Sequence, residues 1–168
     1  MMNVNQIKIA LLLLFVPMLA IGQLKELSLF ENLVDKTWCI EGEWKSGTAF
    51  KQEVRMKYDL QGTLVVVETK GFVDEEQTEL GNRNHGIRQY DGSSKTIKFW
   101  EFDAFGNLTK GTVFAEDKNI VYQYYYEGEM LTEMWEYVDD STYNFKIGSY
   151  IDGRWSDVYI DSVFKEKK

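Results

Sequence analysis

The stretch Phe50-Lys51-Gln52-Glu53-Val54-Arg55-Met56-Lys57-Tyr58-Asp59 decides the fold. Its larger, mostly apolar residues occupy even positions and its charges mostly odd ones, the period of two that gives a strand one buried and one wet face. Upstream the period is different: Leu24, Leu27, Phe30, Leu33 and Val34 recur at helical spacing around Lys25, Glu26 and Glu31, which predicts one short amphipathic helix. From Thr37 to the end the chain keeps the strand period.

Further β-rich runs are Thr37 to Trp44, Thr63 to Val73, Asn84 to Tyr90, Thr96 to Asp103, Leu108 to Ala115, Ile120 to Tyr126, Leu131 to Val138, Thr142 to Ile151 and Trp155 to Phe164. Between them stand the Asp, Asn and Gly pairs that hairpins use for positive φ, among them Glu127-Gly128 and Asp152-Gly153. The links are too short for crossover helices, so neighbouring strands must be antiparallel. About ten strands in a meander either expose two edges or close. The expectation is an all-β, antiparallel up-and-down barrel with the short helix plugging one end, with a two-sheet sandwich as the alternative. One longer acidic segment, Asp74 to Thr78, reads as a mobile loop.

Residues 1–22 are expected to be a secretory signal peptide: Lys8, an apolar run from Ile9 to Val16, Pro17, and small residues at Ala20 and Gly22. The run is too short to span a bilayer permanently. Cleavage near Gly22 leaves Gln23 rather than a cysteine at the new end, so no lipid anchor and no stable membrane attachment is expected, and residues 23–168 form one domain. The localisation this implies is exported, periplasmic or secreted. Cys39 is the only cysteine, so no intramolecular disulfide can form; its setting between Trp38 and Ile40 reads as a buried structural thiol.

The formal charge is −8, and one unit more negative once Lys8 has left. Nucleic acid is excluded as an expected partner, because the densest basic stretch is only Lys165-Glu166-Lys167-Lys168. An anionic membrane surface is disfavoured on the same ground.

Aromatic residues recur on one face of consecutive strands: Tyr122, Tyr124 and Tyr126, then Trp135 and Tyr137, then Tyr143 and Phe145. In a closed barrel this wall either lines an apolar pocket or fills the lumen as core. Charges share those faces. Glu68 and Lys70 alternate with Leu64, Val66 and Phe72, Glu133 lies between Leu131 and Trp135, and Arg88 precedes Tyr90 by two. Arg88 either meets a ligand carboxylate or pairs with Glu68 or Glu133. The candidate ligand-binding set is Arg88, Trp100, Tyr124, Trp135 and Phe145.

His85, the only histidine, lies in the polar stretch Gly81 to Gly86 and reads as solvated rather than as a haem ligand. No catalytic residue is assigned, because GxSxG, HExxH and a Cys-His arrangement are all missing from the sequence. A cross-strand carboxylate pair of the glycosidase kind stays open. Asp74-Glu75-Glu76 and Asp139-Asp140 lack EF-hand spacing and read as solvated loops, so no metal and no cofactor is expected. Asn107-Leu108-Thr109 matches a glycosylation sequon as any three-residue pattern does by chance.

Lys36-Thr37-Trp38 followed by Gly42 resembles the Gly-x-Trp opening of bacterial lipocalin-like proteins of unknown function, in the calycin group, with lysine in place of the glycine. Gly86 to Asp91 with Phe99 to Asp103 is similar to that family's central hairpin, and Asp152 to Trp155 with Phe164-Lys165 to its last strand. The resemblance implies a calycin-like barrel that binds a small hydrophobic molecule in its lumen. An envelope interaction or structural module without ligand is the alternative, with a hydrolase or haem binder behind both.

Overall fold

The computed structural model describes residues 25–74 and 76–168. The expected signal peptide, Leu24 of the expected helix and Glu75 of the acidic loop lie outside the described residues. Ten strands follow a short N-terminal segment: β1 (Thr37–Glu43), β2 (Ala49–Asp59), β3 (Leu64–Phe72), β4 (Leu80–Asp91), β5 (Thr96–Asp103), β6 (Leu108–Glu116), β7 (Asn119–Tyr126), β8 (Glu129–Asp139), β9 (Thr142–Ile151) and β10 (Arg154–Glu166). Each pairs antiparallel with the next, and β10 returns to β1, so the sheet is a closed up-and-down barrel rather than a sandwich. Ring closure removes the two edges that an open meander would leave unpaired.

Turn chemistry sets much of the register. Glu127-Gly128 and Asp152-Gly153 take positive φ at both residues, the twist that two-residue hairpins need, and they join Tyr126 to Glu129 and Ile151 to Arg154. The β1–β10 seam is reinforced beyond its strand pairing by Lys167 N donating to Thr37 O at 2.8 Å and Ser162 Oγ donating to Glu41 O at 2.7 Å.

Among the described residues the expected amphipathic helix is α-helical at Lys25 and Glu26 and continues as a 3-10 turn, Leu27–Phe30, without a side-chain N-cap. Its apolar stripe does what the spacing implies: Leu27, Phe30 and Leu33 are fully buried and seal one barrel end. Asp35 takes a positive φ just beyond the turn, and Val34 bridges to Met56, which draws the chain into the sheet. Trp38 Nε1 donates to Leu33 O at 3.1 Å, and the Tyr58 hydroxyl donates to Leu27 O at 3.2 Å, locking the plug to β1 and β2.

Above the plug, aromatic rings pack edge to face and stacked. Trp135 stacks on Phe164 at 3.9 Å, while Trp38 meets Tyr143 edge-on at 5.3 Å. Both tryptophans and Phe164 are almost wholly removed from water.

Three expectations need correction. On β3 the inward face is Val65, Val67 and Thr69, so Glu68 and Lys70 are exposed on the outer wall. The run Leu64 to Val67 is apolar on both faces, which conceals its parity; pairing of Val65 with inward Tyr58 settles it. β4 begins at Leu80 rather than Asn84, because its polar first residues continue the ladder against β3 through a bulge beside Asn82 to Asn84. Cys39 points to the outer face, half-buried, since Trp38 and Ile40 take the inward positions. His85 is exposed, as expected.

Candidate functional site

The barrel has one sealed and one open end. The β1–β2, β5–β6 and β7–β8 turns lie opposite the plug, and between them opens a vestibule of about 1000 Å³ bordered by Trp44, Leu108, Tyr126, Leu131 and Tyr159. Inward of it lies a chamber of about 200 Å³. Trp44, Arg83, Thr109, Tyr124 and Ile147 border both, so the two are one continuous lumen.

The chamber is built around Arg88 on β4, whose side chain is only 5 % exposed. Arg88 Nη2 donates to Glu101 Oε2 of β5 at 2.5 Å, and Arg88 Nε makes a long contact with the Tyr122 hydroxyl of β7 at 3.4 Å. The guanidinium also lies over the faces of Phe99 and Tyr122, 5.3 and 5.2 Å from their centroids. Burial works against its charge, yet Tyr122 and Glu101 outweigh burial and raise its pKa, so it is a fixed cation. Gly86 makes the placement possible: a Cβ there would collide with Arg88 Nη1. Asn84 Nδ2 donates to the second Glu101 oxygen at 2.7 Å. Arg88 Nη1 and Asn84 Oδ1 are buried and have no partner among the described residues.

Across the lumen Glu133 of β8 is flanked by Leu131 and Trp135 and pairs with Tyr122 and Ile147 on the neighbouring strands. Its carboxylate accepts one hydrogen bond, from Trp135 Nε1 at 3.2 Å. Burial, and after it the Glu101 charge, pushes its pKa up to about 7 against the opposing pull of the Trp135 N–H and Arg88. Burial likewise lifts the Tyr122 hydroxyl to about 12 and Tyr124 well above the ordinary phenol range. Tyr122 and Tyr124 keep their protons at neutral pH and can donate as well as accept, while Glu133 holds its proton in mildly acid solution and is a carboxylate above about pH 7.

Of the five residues singled out from the sequence, Arg88, Tyr124, Trp135 and Phe145 line this chamber. Trp100 does not. It alternates with Phe99 and Glu101, which point inward, and pairs with Ile87 on the outer wall. Arg88 is paired, but with Glu101 rather than with Glu68 or Glu133. Glu101 and Asn84 are the polar chamber residues sequence reasoning missed. The signal for Glu101 was the spacing Phe99, Glu101, Asp103, masked by the larger Trp100 between them.

Among the described residues, no three His, Cys, Asp or Glu side chains are placed to hold a metal ion. No family model matches the chain, and no curated protein matches its sequence.

Proposed function

We propose that this chain is an exported, lipocalin-like protein that holds a small, largely hydrophobic molecule in the barrel lumen. The ligand enters through the vestibule and rests its polar end in the inner chamber. The observation that carries this reading is the lumen itself, sealed at one end, open at the other, and walled by aromatic rings around buried polar atoms that lack protein partners. Ligand sites have this make-up, an apolar surface with a few convergent polar groups. A lumen meant only as core would not retain an unpartnered Arg88 nitrogen and a desolvated Glu133, because each disfavours the folded state. Lipocalin-like descent is supported by the loose motif resemblance and by the up-and-down closure.

Native mass spectrometry of the protein purified gently from its own host is the test. A co-purifying small molecule is the expected outcome. A clean ligand-free mass, with no change in tryptophan fluorescence on adding fatty acids, other lipids or haem, overturns the reading.

A second reading draws on the rim. Phe102, Phe105, Leu108, Tyr125, Tyr126 and Met130 are exposed large apolar side chains carried by the strands and turns at the open end. An envelope interaction module would use such a rim, and recovery of a defined protein partner by crosslinking, with an empty lumen, would establish it.

A further inference from the structure

Among the described residues, five ionisable side chains other than tyrosine border the inner chamber: Arg83, Arg88, Glu101, Asp103 and Glu133. Four of them have an ion-pair, cation–π or multiple hydrogen-bond partner in the protein, although Arg88 keeps Nη1 free. Arg88 is ion-paired with Glu101. Arg83 donates to Phe72 O and lies over Phe105, 4.9 Å from its centroid. Asp103 accepts from Phe105 N, Asn107 N and Asn107 Nδ2 at 3.0, 2.8 and 2.9 Å. Glu133 is left over. Among the described residues it has no ion-pair partner and a single hydrogen bond, from an indole.

Two cations thus stand against three carboxylates, and the excess negative charge is the one with aromatic rings on several sides. An entering carboxylate would find the Arg88 charge already offset by Glu101, with only Nη1 left to donate, and would share the chamber with Glu101 and Glu133. An entering cation would find an unmatched carboxylate and the aromatic rings of Tyr122, Tyr124, Trp135 and Phe145, surroundings that hold ammonium groups favourably once water is displaced. The approach is negative on balance: Asp103, Glu127 and Glu129 border the vestibule against Lys45 and Arg83, Lys45 is ion-paired with Asp157, and the chain has a formal charge of −8.

We propose that the ligand carries a protonated amine on an apolar body, the ammonium seated between the Glu133 carboxylate and the aromatic walls and the body extending into the vestibule. The proposal rests on the lumen-binding reading and narrows its ligand class. Arg88 becomes a positioning residue that fixes Glu101 and Tyr122. Binding is then linked to pH. The groups facing Glu133 are Tyr122 and Tyr124 on β7, Glu101 on β5 and Arg88 on β4, while β9 presents only Phe145 and Ile147. With the Glu133 pKa at about 7, an ammonium must displace a proton below that pH, and its affinity falls as the solution is acidified.

The experiment titrates the exported protein with octylammonium, octanol and octanoate by calorimetry, following tryptophan fluorescence in parallel, at about pH 8 and about pH 5.5, where the alkylammonium stays charged. Octylammonium is expected to bind about tenfold or more tighter than octanol at the higher pH, with octanoate weakest, and to lose most of that advantage at the lower pH. Glu133→Gln is expected to remove the preference for the amine over octanol. If octanol or octanoate matches the amine, or if Glu133→Gln leaves the preference intact, the amine assignment is overturned and the lumen-binding reading stands. If none of the three binds or changes the fluorescence, both are overturned. Should Glu133→Gln fail to fold, the pH dependence of the three affinities in the unaltered protein decides alone.

Discussion

Replacing Glu133 by glutamine should make the ligand-free protein more stable at about pH 8 and leave it nearly unchanged at about pH 4.5. The Glu133 carboxyl has an ordinary value of 4.5 and is pushed to about 7 in the folded chain, by burial first and by the Glu101 charge second. Between those two values the folded state holds the proton more firmly than the unfolded one, so stability contributed by the neutral carboxyl is present at low pH and is lost as pH rises toward 7. At about 1.4 kcal/mol per unit, the displacement amounts to roughly 3 kcal/mol. Glutamine has no charge to desolvate, and its amide oxygen can still accept from Trp135 Nε1, which now donates to Glu133 at 3.2 Å. Urea unfolding followed by circular dichroism at about pH 4.5, 6 and 8 measures the effect, on protein unfolded and refolded beforehand to strip any ligand. The unaltered protein should lose stability across the range relative to the variant. If the two track each other at every pH, or the variant is the weaker at pH 8, Glu133 is not a desolvated, unmatched acid, and the electrostatic reasoning about the lumen fails with it.

Other perturbations test the rest of the architecture. Arg88→Leu strips Glu101 of its cation and should destabilise the barrel by about 2–4 kcal/mol, less than a fully buried pair because the Glu101 side chain is 22 % exposed. Arg88→Leu with Glu101→Leu should recover most of that loss in denaturant titrations, and simple additivity of the two single changes would contradict the pairing. Gly111→Ala drives a Cβ into Gln123 O and places it 2.9 Å from Phe99 Cε1. The β6–β7 backbones must separate there, and a destabilisation of about 3 kcal/mol is expected by thermal unfolding, against no measurable change if the strands are further apart. Cys39, whose thiol is raised above its ordinary value by partial burial and then by Glu53 on the adjacent strand, should react slowly with a thiol-disulfide reagent at neutral pH and faster as pH rises. Rapid labelling at pH 7 would contradict that placement.

Much of the fold was legible because its devices are local. β5 and β9 run over the residues that their alternation and turns mark out, Thr96–Asp103 and Thr142–Ile151. The aromatic faces of β7, β8 and β9 were readable because rings recur at every second position in each run, and Tyr122, Trp135 and Phe145 all point inward. The N-terminal stripe Leu27, Phe30 and Leu33 is buried although the described residues that carry it form a 3-10 turn and the bend after it rather than a regular α-helix. A stripe records which residues seek the core, whereas the length of helix depends on where the chain must join the sheet.

The candidate site was only half legible. On β2 the outward residues Lys51, Glu53, Arg55 and Lys57 are all charged, so its two faces are plain. The β3 run Leu64, Val65, Val66, Val67 offers no such contrast, and its pattern alone allows Glu68 and Lys70 an inward place although both are exposed. Size favours Trp100 over Glu101 as a wall residue, whereas parity with Phe99 gives the inward place to Glu101. Arg88 was recognisable as a residue in need of a partner; the partner's identity was not.

By itself, then, the sequence determined the run of about ten strands, their antiparallel order and the presence of an aromatic face, since side chains alternate along a strand and turn residues act within a few positions of themselves. The tertiary structure alone decided that β10 closes on β1 rather than leaving a sandwich, that Arg88 meets Glu101, that Glu133 meets no cation among the described residues, and that the lumen stays open at one end. Those outcomes depend on the stagger accumulated from strand to strand around a closed ring, which sets the height of every inward side chain relative to those across the barrel.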